Sequence, residues 1–91
     1  MLTLSPVVPG IGDRQPRILA VDDQPANLLL VTRVLEPAGF LVLEARSGAE
    51  TLAIAQESMP DLILLDMHLP DMHGLEVLRR LRESTWGAGL R

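Results

Sequence analysis

The sequence predicts an α/β fold built as a doubly wound parallel sheet. Three observations predict it. Short apolar runs alternate with segments of helical periodicity; two of those runs stop abruptly at aspartates; and proline and glycine stand where helices start and stop.

Composition sets the limits. A chain of 91 residues holds one small domain. At 47% hydrophobic and only 2% aromatic, its core must be built from Leu, Val, Ile and Ala, as is usual for strands covered by helices on both faces. The net charge of −4 argues against nucleic acid, whose phosphates call for a basic face. Without cysteine there are no disulfides and no thiolate metal sites, and every basic residue is an arginine. No segment has the features of a secretory signal or the ~18 apolar residues of a membrane span, so no membrane contact and a cytoplasmic location are expected.

Residues 1–16, with Pro6, Pro9, Gly10, Gly12 and Pro16, read as a flexible leader. Arg17 to Val21 is the first strand, apolar after its first residue and ending at Asp22-Asp23. Pro25 opens a helix with Leu28, Val31, Thr32 and Leu35 on its inner face, widened by Leu29, Leu30 and Val34. Pro37 and Gly39 end it. Phe40 to Glu44 is the second strand. Ser47 and Glu50 then fit a capping box, and the second helix turns Leu52, Ala53 and Ala55 inward before stopping near Met59-Pro60. Leu62 to Leu65 is a third strand apolar on both faces, ending at Asp66. A third helix runs from about Gly74 to Glu83, with Val77, Leu78 and Leu81 inward and the pairs Glu76/Arg80 and Arg79/Glu83 on the wet side. Ser84 to Arg91 reads as a frayed tail. Strands joined by such helices must run parallel, with right-handed crossovers.

In an open parallel sheet the chemistry gathers at the carboxyl ends of the strands. Asp22, Asp23 and Asp66 all lie there, and the loops following the first and third strands offer no Lys or Arg to neutralise them. Carboxylates crowded together repel, and a divalent cation resolves the conflict. Ligands that are all oxygen select a hard ion such as Mg²⁺. The plainer reading makes Asp22 or Asp23 a helix cap and Asp66 the first residue of a loop. His68 and His73 read as loop histidines, since they share no helix face and lack a third nitrogen or thiolate partner.

Ile18-Leu19-Ala20-Val21-Asp22-Asp23-Gln24-Pro25-Ala26-Asn27 resembles the opening of response-regulator receiver domains, especially those attached to hybrid sensor kinases. Leu62-Ile63-Leu64-Leu65-Asp66-Met67-His68-Leu69-Pro70-Asp71-Met72-His73-Gly74 resembles their phosphoacceptor strand and loop. The resemblance covers residues 17–83 and implies a flavodoxin-like receiver fold in a two-component phosphorelay. It implies Asp66 as the nucleophile that becomes an aspartyl phosphate, taking the phosphoryl group from a histidine kinase or phosphotransfer protein. It implies Asp23 as a direct Mg²⁺ ligand, Asp22 acting mostly through metal-bound water, and the backbone carbonyl of His68 as a further ligand. Pro70 and Gly74 would shape the loop. Such a domain is a phosphoacceptor switch and not an enzyme.

The chain departs from the family in length. A receiver has five strands, in the order 2-1-3-4-5, and three are legible here. The Ser or Thr after the fourth strand and the Lys after the fifth have no counterpart. A fragment or truncated product is one expectation, and a complete short interaction module that is not phosphorylated, docking through its first helix, is the other. A phosphatase with an aspartate nucleophile would carry a second Asp where His68 stands, and a nucleotide fold would carry glycines where Asp22-Asp23-Gln24-Pro25 stands. With the fourth strand missing, Leu62 to Leu65 is expected at an open edge, inviting self-association.

Overall fold

The computed structural model describes residues 2–4 and 15–83. The elements in chain order are β1 (Leu2–Leu4), β2 (Arg17–Val21), α1 (Pro25–Leu35), a 3₁₀ turn (Glu36–Ala38), β3 (Leu41–Ala45), α2 (Gly48–Ser58), β4 (Leu62–Leu65) and α3 (Gly74–Glu83). β2 lies between β3 and β4 and is parallel to both, giving the doubly wound core that the sequence predicts.

Two expectations are corrected at the sheet edge. Leu2–Leu4, part of the predicted leader, forms a strand antiparallel to β4, with Leu2 opposite Leu65, Thr3 opposite Leu64 and Leu4 opposite Ile63. The sheet therefore has four strands in the order β1-β4-β2-β3, and β4 is not an open edge. The rest of the predicted leader up to residue 14, and the predicted tail 84–91, lie outside the described residues.

Strand alternation divides the interior into two layers. Leu19, Val21, Ala45, Ile63 and Leu65 meet Ala55 of α2, Val77 and Leu81 of α3 and Leu69 of the β4–α3 loop in the main core. On the other face α1 buries only Leu28. Leu29, Leu30 and Val34, which the apolar pattern places on the helix's inner face, are exposed, Leu30 and Val34 by more than 60%. Ala53 of α2 also faces solvent, and Thr51 takes an inward place instead, its hydroxyl donating to the Ser47 carbonyl.

The helix ends follow local chemistry. Gly39 closes the 3₁₀ turn at φ 99°, a left-handed conformation that costs a side chain-bearing residue most. The Ser47 hydroxyl accepts from the Glu50 N–H at 3.1 Å, as a capping box requires, but Glu50 reaches back to the Arg46 N–H instead of that of Ser47. At the opposite end of β2, Arg17 and Asp61 exchange backbone contacts: the Arg17 N–H donates to the Asp61 carboxylate and the Asp61 N–H to the Arg17 carbonyl, both at 2.8 Å.

On the outer face of α3, Arg79 bridges Glu76 at 2.6 Å and Glu83 at 2.5 Å, and Arg80 adds a second contact to Glu76 at 2.9 Å. The hydrogen bonds from Arg79 and then Arg80 hold the Glu76 carboxyl down at about 2 from its ordinary 4.5. A carboxyl with a depressed value stabilises the fold above its unfolded pKa and loses that contribution as pH falls toward the folded one. The melting temperature of the wild type should therefore exceed that of Glu76→Gln near neutrality. The gap should narrow below pH 4.5 and close near pH 2, as read by thermal melts across that window.

Candidate functional site

The parallel register decides what meets at the carboxyl edge. Val21 stands opposite Leu65 and Ala45, so the residues that follow these strands emerge side by side. The ladder continues for one bond on each side: the Asp22 N–H donates to the Ala45 carbonyl at 3.1 Å and the Asp66 N–H to the Val21 carbonyl at 3.0 Å. Asp22, Asp23 and Asp66 consequently place one carboxylate oxygen each within 4.8 Å of one another.

Their environments differ. Asp22 is buried, 6% exposed, and both its oxygens are engaged, one by the Gln24 N–H and the other by the Asn27 side-chain amide, each at 3.0 Å. Asp23 and Asp66 are half-buried. One Asp66 oxygen accepts from the His68 N–H at 3.1 Å. Three convergent carboxylates, one of them orienting a buried corner and two partly open, fit a hard divalent cation with oxygen ligands and do not fit a soft one.

A basic group also reaches the site. Arg46, the first residue after β3, points a guanidinium N–H at the Asp23 carbonyl, 3.5 Å away. The expectation of no basic residue held for the loops after the first and third strands. It missed Arg46 because β3 flanks β2 on its other side and ends level with it.

The loop from Asp66 to His73 is fixed at several points. His68 and His73 pair as an isolated antiparallel bridge, their rings edge to face with centroids 5.6 Å apart, and the His73 Nδ1 accepts from the Leu75 N–H at the start of α3. Asp71 was not singled out by the sequence. Its carboxylate accepts from the Gly48 N–H at 2.7 Å and the Ala49 N–H at 2.9 Å, clasping the first turn of α2. Those bonds, that from Gly48 foremost, hold the Asp71 carboxyl below its ordinary range. The clasp brings Met72 so close to Gly48 that a Cβ there would lie 2.3 Å from the Met72 Cγ.

Residues 18–88 match the response regulator receiver domain. The chain belongs to that family. Over 68 residues it is 47% identical to the transcriptional regulatory protein TrcR of Mycobacterium tuberculosis, covering 75% of this chain and 26% of TrcR. It is 39% identical over 74 residues to the sensor protein GacS of Pseudomonas syringae pv. syringae, covering 81% of this chain and 8% of GacS. Among solved structures, the response regulator TrrA of Thermotoga maritima, in complex with Mg²⁺-BeF, superimposes with a TM-score of 0.72 at 34% identity, covering 77% of this chain and 61% of that one. The chain thus spans less than two thirds of each of these relatives.

Within the receiver family's loop, Gly74 has the tightest steric requirement. Its N–H donates to the Met67 carbonyl at 2.8 Å, and a Cβ at this position would lie 2.8 Å from the Met67 Cα and 3.2 Å from the Asp66 carbonyl oxygen. Backbone cannot swing aside as a side chain can. Gly74→Ala should therefore displace Met67 and His68 and cost about 1–3 kcal/mol, the range for overpacking. Backbone amide shifts concentrated at residues 66–68, together with a lowered melting temperature, are the expected result.

Proposed function

We propose that this receiver domain is a phosphoacceptor switch of a two-component phosphorelay, with Asp66 as the residue phosphorylated. The observation that carries the reading is the convergence of Asp22, Asp23 and Asp66 at the carboxyl ends of adjacent parallel strands. Their match to the receiver motif supports the assignment of roles, as does the Mg²⁺-BeF bound by the similar TrrA, because beryllofluoride imitates a tetrahedral phosphoryl group.

In this reading the Asp66 oxygen not held by the His68 N–H attacks the phosphorus of a phosphohistidine. An O–P bond forms as the P–N bond breaks, and the imidazole leaves with the electron pair and takes up a proton. The His68 N–H fixes the rotation of the Asp66 carboxylate and keeps the second oxygen available. Asp23, with Asp66 and the His68 backbone carbonyl, would hold Mg²⁺. Asp22, its oxygens already committed to Gln24 and Asn27, would contribute through bound water. When bound, the cation offsets the charge of carboxylates and phosphoryl group together. The phosphoryl group is kept on Asp66 as a signal, so the domain serves as a phosphoacceptor switch and not as an enzyme acting on a separate substrate.

A histidine kinase or phosphotransfer protein is the partner, in the cytoplasm; nucleic acid is not a partner of this segment. Among the described residues no helix is long and apolar enough to cross a membrane. The exposed Leu29, Leu30 and Val34 of α1 favour a second reading, in which the chain docks on a kinase without accepting phosphate. Labelling separates the two. Incubation with acetyl phosphate should label the wild type and leave Asp66→Asn unlabelled; label that survives the substitution overturns the phosphoacceptor assignment. Mg²⁺ titration followed by carboxyl NMR should show affinity reduced on the order of tenfold or more in Asp23→Ala, and an equal response in both proteins removes Asp23 from the ligand set.

A further inference from the structure

Both oxygens of the buried Asp22 are tethered, Oδ1 by the Gln24 N–H and Oδ2 by the Asn27 side-chain Nδ2, each at 3.0 Å. A carboxylate accepts hydrogen bonds and donates none, so the Asn27 amide must turn its nitrogen toward Asp22. Asn27 reaches the site from the first turn of α1, which Pro25 opens. The Asn27 and Leu28 N–H groups both donate to the Gln24 carbonyl, and Leu28, the buried residue of α1, pins the turn to the interior. The Gln24 bond closes a local turn, whereas the Asn27 bond ties the carboxylate to a separate element. Rotation about the Asp22 Cβ–Cγ bond would break both.

We propose that Asn27 is a positioning residue that sets the cation preference of the site: by fixing the rotation of Asp22 it favours Mg²⁺ over Ca²⁺. The inference rests on the reading above, in which the carboxylate cluster holds Mg²⁺. Mg²⁺ is small, keeps much of its water and binds few carboxylates, whereas Ca²⁺ takes more oxygens in a looser geometry. A carboxylate tethered at both oxygens still accepts from water through its remaining lone pairs, but it cannot swing in to displace that water. Direct contact is then left to Asp23 and Asp66, which are half-buried and partly open. Such a set suits the ion that holds its water. Without the Asn27 amide, Asp22 keeps the Gln24 bond alone and is free to turn toward the ion, and the larger cation gains a carboxylate. Asn27 is exposed, and alanine is the better helix former, so Asn27→Ala removes the tether while leaving α1 in place.

The test titrates the whole chain separately with Mg²⁺ and Ca²⁺, following aspartate carboxyl signals by NMR in the wild type and in Asn27→Ala. The ratio of the two dissociation constants cancels any general loosening of the site. It should move toward Ca²⁺ on the order of tenfold, the lower end for residues that orient metal ligands. An unmoved ratio, or an equal loss of both ions, overturns the proposal and leaves the Mg²⁺ reading standing. Wild-type carboxyl signals that ignore Mg²⁺ overturn both. The wild type alone supplies a second arm, which holds whether or not the variant folds. The Asn27 side-chain amide protons should exchange slowly with solvent before Mg²⁺ is added and remain slow at saturation. Exchange as fast as that of a free amide in the Mg²⁺-saturated protein would mean that Asp22 has turned away from Asn27, and it overturns the proposal.

Discussion

The position of β2 between two parallel neighbours is the constraint on which the site depends. Because Val21 is in register with both Ala45 and Leu65, the three strands end at one level. Two further backbone bonds carry that level into the residues beyond: Asp22 to Ala45, and Asp66 to Val21. Asp22 and Asp66, far apart in sequence, are thereby held side by side through backbone hydrogen bonds, against the repulsion of their like charges. The apolar strand interiors supply what the carboxylates cannot. Leu19, Val21, Ile63 and Leu65 are fully buried, so slipping the register by one residue would turn that whole set outward.

The loop after β4 is held with the same economy. Asp71 reaches the first turn of α2, His73 caps α3, and Gly74 lets α3 begin against the backbone of Met67. Each contact sits within a few residues of Asp66 or His68. Asp71 spends a carboxylate on two N–H groups that would otherwise need solvent, and it couples the first turn of α2 to the loop.

Much of this was legible from sequence because it is written in short-range patterns. The start of the third helix at Gly74 and its i, i+4 charge pairs were legible, and the acidic ends of the first and third strands named the carboxylate cluster. What escaped is long-range. Leu2–Leu4 has too few residues for a periodicity, and its strand character comes only from the distant partner that it meets. Asp71 looks like any turn aspartate until α2 is placed beside it, and Arg46 like any polar residue after a strand until β3 is seen flanking β2. The outer residues of α1 were misplaced for another reason: hydropathy reports what a face could bury, not which elements lie against it.

The antiparallel edge strand has a consequence for the order of events on the ribosome. β1 precedes its partner Ile63 to Leu65 by a long stretch of chain, so it must wait while β2, α1, β3 and α2 emerge. Closing so long a loop makes it one of the last native contacts to form. When β4 does leave the exit tunnel, however, its cover has already been made.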